Sequence, residues 1–208
     1  MKWSLIVVAV FVFGILLTWS GVVPKGLLSA DTSTYLLYAL VALVGFEIGS
    51  SGRLSVIFKE VDYRSFLLPL GVAVSSVCFA GLACLFIGWL SWADGMALGS
   101  GMGYYSLSSM IITGLKTPEV GVRMASKLGT LALLVNIFRE FATLCLAPLL
   151  RRYFDPYGLV ASAGVTSMDV LLPSIIKYGG KEIMPVAIIN GVMLEMMVPF
   201  LVTFFCMF

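Results

Sequence analysis

Long runs of apolar residues without a single charge constrain this chain more than anything else in it. No Asp, Glu, Lys or Arg occurs from Trp3 to Pro24, or from Phe66 to Ala93, and Glu195 stands alone between Met184 and Phe208. Crossing the hydrocarbon core of a bilayer takes roughly 20 mostly apolar residues in a helix. The chain has 208 residues, 60% hydrophobic and 12% charged. Soluble domains hold about 45–50% and 25%, so polar surface is too scarce to cover a water-soluble globule. The expectation is an all-helical, polytopic membrane protein forming one integral membrane domain over residues 1–208.

About seven membrane segments of suitable length can be placed, near 3–21, 34–50, 66–90, 95–113, 128–150, 157–177 and 183–207. The first is too long for the ~7–15-residue core of a signal peptide and no small-x-small cleavage site follows it, so it reads as a retained helix. If every segment crosses, Lys2, Arg53, Lys59, Arg64, Lys116, Arg123, Lys127, Lys177 and Lys181 share one side; Lys25, Arg151 and Arg152 take the other. The positive-inside rule then makes the first side cytoplasmic, in an inner membrane, with the C-terminus outside.

Several function classes recede. No basic run exists to meet nucleic acid. There is no histidine, the commonest catalytic base and metal ligand, so a membrane hydrolase finds little support and no metal or cofactor is called for. Cys78, Cys84, Cys145 and Cys206 lie in apolar stretches without a CxxC spacing and read as buried small hydrophobes.

Charges at membrane depth are costly and need a reason. Four acids qualify: Glu47, Glu140, Asp169 and Glu195. Glu140 follows Arg139 directly and shares a helix face with Asn136 four residues earlier, a stripe suited to a cation or an ammonium. Asp169 lies in SAGVTSMDVLLPS with Thr166 and Ser167 beside it; Pro173 cannot donate to its carbonyl, so a carboxylate and a backbone oxygen are expected there together. Glu195 repeats the arrangement with Pro199, and Glu47 sits near a helix end. In ALGSGMGYYSLSSMIITG, Gly99, Gly101 and Gly103 precede a hydroxyl cluster that includes Tyr105, Ser106 and Ser108. Such a stretch suits close helix packing or an unwound segment whose half-helix N-terminus faces an anion. Transporters place their binding sites at paired interruptions of this kind.

The strings GSGMGYYSLSS, REFATLCLAPLLRR, AGVTSMDVLLPSIIKYGG and MPVAIINGVMLEMMVPF, in this order, resemble the C-terminal core of the bacterial lysine exporter family of LysO type. The likeness is close over about residues 95–205 and rests on hydropathy before that. It implies export of L-lysine and its toxic analogues. It also implies a remote likeness to cation–proton antiporters and bile-acid-type transporters, built from inverted repeats with broken helices. Carried over by motif, the working acids are Glu140 and Asp169. Full-length members carry a further N-terminal membrane region, so the resemblance implies the longer chain of a split exporter. A small membrane protein would then supply the rest, and a homo-oligomer is a further expectation.

The expected mechanism is proton antiport. Moving a cation out against the membrane potential takes about 2.3 kcal/mol per charge per 100 mV, and a buried carboxylate can hold a proton and a substrate alternately. Glu140 and Asp169 would take ammonium groups. The Gly103–Ser109 turn or Arg139 would take the α-carboxylate. Two other readings stay open: a monovalent cation/proton antiporter, and a membrane subunit that transports nothing.

Overall fold

The computed structural model describes residues 63–208, together with the isolated positions 13, 17, 20, 35 and 46. The segments expected near 3–21 and 34–50, and Glu47, fall outside the described stretch. Among the described residues the chain is helical throughout, with no strand. Its elements, all within the compact unit Leu40–Phe208, are α1 (Tyr63–Ala83), α2 (Trp92–Gly99), α3 (Tyr105–Val120), α4 (Val122–Tyr153), α5 (Pro156–Ala163), α6 (Leu172–Gly179) and α7 (Met184–Cys206).

Three stretches are long and apolar enough to cross a membrane: Phe66–Phe86, Val122–Tyr153 and Lys181–Cys206. Their bounds lie within six residues of those expected for the third, fifth and seventh segments. Half of the Lys181–Cys206 window is buried against 17% of the Val122–Tyr153 window, which makes α7 the inner helix. Ala187, Val192, Leu194, Val198 and Val202 are fully enclosed, and α7 touches α1, α2, α3, α5 and α6.

The two segments expected to be interrupted are indeed broken, α2 from α3 by Ser100–Tyr104 and α5 from α6 by a tight turn at Gly164–Met168 and the residues after it. Both turn back instead of crossing. Gly95 and Gly99, a small-xxx-small pair, lie against Ala80 and Ser76 of α1 and Cys84 just past its end, so α2 runs antiparallel to α1 and ends halfway along it. Had α3 continued onward, helical rise alone would carry Lys116 more than ~20 Å past Asp94. Instead Lys116 Nζ lies 3.6 Å from Asp94 Oδ1. In the second segment, a Cβ at Gly179, the last residue of α6, would lie 3.5 Å from Cβ of Pro156, the first residue of α5.

Two helical hairpins therefore enter from opposite ends and stop halfway. Antiparallel neighbours hold them: α4 follows α3 with Gly129 against Ser109 and Thr113, and Ala147, Leu159, Val160, Ala163, Ile175 and Ile183 make a continuous apolar core around the second. The turn-backs redistribute the charges. Lys116, Arg123 and Lys127 fall at one end, and Arg151 and Arg152 join Lys177 and Lys181 at the other, where Arg151 Nε donates to the Tyr178 carbonyl at 3.2 Å. The nine-to-three partition assumed that both segments cross and does not carry over.

Candidate functional site

The tips of the two hairpins meet. The Val165 N–H donates to the Met102 carbonyl at 2.9 Å, joining the break after α2 to the break after α5. The contact needs special backbone: Met102 and Gly103 have φ of 44° and 102°, and Gly164 has 67°. A Cβ on Gly164 would run into the Met102 carbonyl oxygen, so glycine is required there for both its conformation and its size.

Each tip is clamped by an asparagine from the long helix that follows it. On α4, Asn136 Oδ1 accepts the Gly103 N–H at 2.7 Å, while its Nδ2 donates to the Ala132 carbonyl at 2.8 Å and reaches Ser108 Oγ at 3.5 Å. On α7, Asn190 Nδ2 donates to the Gly164 carbonyl at 3.1 Å and to Ser167 Oγ at 3.2 Å. Both side chains are almost fully enclosed. Ser108 donates to the Tyr104 carbonyl and Ser167 to the Ala187 carbonyl. Asn136, Ser108 and Ser167, expected at the binding site, thus hold its backbone in place. Asn190 was missed; its signal, an amide inside an otherwise apolar helix, is the same one that marked Asn136.

Arg139 holds backbone too. Its Nε and Nη2 donate to the Ser162 and Ala161 carbonyls and its Nη1 to Ser76 Oγ, each at 3.0 Å. The guanidinium thereby closes the C-terminus of α5, the end where a helix favours positive charge, and ties it to α1. Thr143 on α4 donates to the same Ser162 carbonyl at 3.1 Å. Arg139, expected to take a substrate carboxylate, thus spends its guanidinium on two backbone carbonyls and a hydroxyl.

Where the tips join, a cavity of about 240 Å³ opens between Gly103, Tyr104, Tyr105 and Ser106 on one side, Val165, Thr166, Met168, Asp169 and Val170 on the other, and Glu195 of α7. It is smaller than the ~300–1,000 Å³ typical of drug-sized ligands and suits a metabolite. Five of the expected site residues line it: Tyr105, Ser106, Thr166, Asp169 and Glu195. The α3 wall presents the first turn of a 16-residue helix with no side-chain cap, where backbone N–H groups point outward with the positive end of the dipole.

The opposite wall carries Asp169, whose backbone (φ −134°, ψ −89°) lies between the short turn and α6. Its carboxylate accepts the N–H of Val170. The carbonyl expected to lack a donor because of Pro173 takes the Leu172 N–H at 3.2 Å; the chain tightens by one residue to satisfy it. Glu140 lies on α4, outside the lining. Its Oε2 is buried without a hydrogen-bond partner.

No solved structure matches this chain. A protein of Escherichia coli K12 named lysine exporter LysO is 32% identical over 85% of this chain and 56% of its own length, so the chain spans little more than half of that relative. A Haemophilus influenzae protein provisionally named a lysine exporter is 30% identical over 85% of each chain. The family described as lysine exporter LysO matches residues 8–206, nearly end to end, and the chain belongs to that family.

Proposed function

We propose that the chain exports L-lysine across the cytoplasmic membrane, taking it up in the cavity between the hairpin tips and exchanging it for protons. The observation that carries this reading is the polarity of the cavity: helix N-terminal donors and hydroxyls on the α3 wall, carboxylates on the other two. An amino acid with a cationic side chain has the complementary charges, an α-carboxylate for the first wall and ammonium groups for the others. Asp169 receives an ammonium directly. Glu140, an acid on α4 whose Oε2 is buried without a hydrogen-bond partner, serves as the proton site. The names of the two relatives agree with this substrate.

The test is efflux. Cells lacking their own lysine exporter are challenged with a toxic lysine analogue, with and without this gene, and external lysine is measured along with external pH. Resistance with lysine release and proton uptake is expected. Sodium-dependent proton flux indifferent to lysine would replace this reading with inorganic cation antiport. Release only when a neighbouring small membrane protein is co-expressed would mean that the chain works as one part of a split exporter.

A further inference from the structure

We propose that the open cavity at the head of α4 is a binding site for the phosphate of an anionic glycerophospholipid, held by Arg123 and Lys127. The cavity has a volume of about 380 Å³ and is lined by Val120, Arg123, Met124 and Lys127. It lies where α3 ends and α4 begins, with Gly121 alone between them at φ 79°. It shares no lining residue with the cavity between the hairpin tips.

Charge says what it takes. Arg123 and Lys127 stand four residues apart on one helix, so they share a face and repel each other. Both are exposed, and among the described residues neither enters an ion pair. The neighbouring acid, Glu119, accepts from Lys116 at 3.1 Å. An anion between the two cations removes the repulsion, and a phosphodiester offers oxygens to the guanidinium and the ammonium together.

Depth says which phosphate. Val122–Tyr153 is one of the three described stretches able to cross a membrane. From Arg123 to Arg151 a helix rises about 42 Å, close to the ~40–45 Å of a bilayer with its headgroup layers, so the basic pair stands at headgroup level. The same face continues into the membrane through Thr130, Leu134, Phe138 and Phe141, all exposed. With Val120 and Met124 at the cavity, these side chains give an acyl chain an apolar track that a free phosphate does not need. A headgroup with its own ammonium already partners its phosphate, so the site favours a headgroup of net negative charge.

The experiment takes the purified full chain in an uncharged detergent, labels it with phosphatidylglycerol carrying a photoreactive acyl chain, and maps the adducts by peptide mass spectrometry. Adducts are expected between Val120 and Phe141. R123Q/K127Q should cut them at least about tenfold, in line with what two basic residues add at a membrane surface, while adducts on α1 stay as they were. R123K/K127R, which keeps both charges, should keep the labelling. Phosphatidylcholine with the same acyl chain should label this stretch at least about tenfold less. Equal labelling by the two lipids, or labelling indifferent to R123Q/K127Q, overturns the inference. So does loss of labelling under excess inorganic phosphate at constant ionic strength, which would make this a site for the free ion. Should R123Q/K127Q fail to fold, the comparison of the two lipids on the wild-type protein decides alone.

Discussion

The α2/α3 hairpin turns on Gly101 and Gly103 and brings hydroxyls and outward-facing N–H groups to the centre, with no acid at its tip. The α5/α6 hairpin turns on Gly164 and brings Asp169. Both are clamped by an asparagine, but in opposite senses. Asn136 uses its oxygen as an acceptor and every polar atom of its amide finds a partner. Asn190 uses its nitrogen as a donor, and its Oδ1 is left buried without one. The same scaffold thus appears twice with opposite electrical character, one tip ready for an anion and the other for a cation. A zwitterion with an extra charge needs both.

Four pairs of substitutions would break or sharpen this contrast. The largest effect is expected for two acids, Asp169 at the second tip and Glu140 on α4: D169N and E140Q should each abolish lysine efflux, read against membrane abundance by immunoblot, and wild-type efflux from either removes that residue from the mechanism. Next come the turning glycines. G164A meets the Met102 carbonyl at positive φ and should cost about 3 kcal/mol or more, whereas a Cβ at Gly103 would sit 3.3 Å from its nearest neighbour, the Ala163 carbonyl oxygen, tight but short of a clash, so G103A should cost less, about 1–2 kcal/mol, mostly backbone strain. Thermal unfolding in detergent orders the two.

The bases of the hairpins should differ as well. Lys116 is 6% exposed between Asp94 and Glu119, so K116M is expected to cost about 2 kcal/mol, below the full value for a buried pair because Glu119 is half in solvent. R151M loses one exposed hydrogen bond and should fall below about 0.5 kcal/mol. The smallest difference lies between the clamps. N136L strands the Gly103 N–H and should cost about 1–2 kcal/mol. N190L also removes an unsatisfied oxygen and should cost about 1 kcal/mol less. Equal losses would mean that the two clamps do not differ as their hydrogen bonds imply.

Much of this was legible in the chain. Apolar runs give the crossing helices, and glycines followed by hydroxyls, or by Asp169 and Pro173, mark where helices break. Direction was not legible: an apolar segment that turns back has the same composition as one that crosses, and only the meeting of Lys116 with Asp94 or of Gly179 with Pro156 separates them. Sorting the polar residues failed for a related reason. Arg139 reads as a ligand because its partners, Ser76, Ala161 and Ser162, lie 22 to 63 residues away. Asn190 escaped because attention fell on charge, although a buried amide has hydrogen bonds to satisfy just as a charge does. Tyr105, Ser106, Thr166, Asp169 and Glu195 could be picked out because polar side chains stand out in apolar stretches, and all five line the cavity.

The hydrogen bond from Val165 to Met102 is the keystone on which the two tips both lean. Displacing either tip gives up that one bond, of order 1 kcal/mol, together with the shelter it lends the other. A substitution in one hairpin therefore has a route to the other through a single pair of backbone atoms.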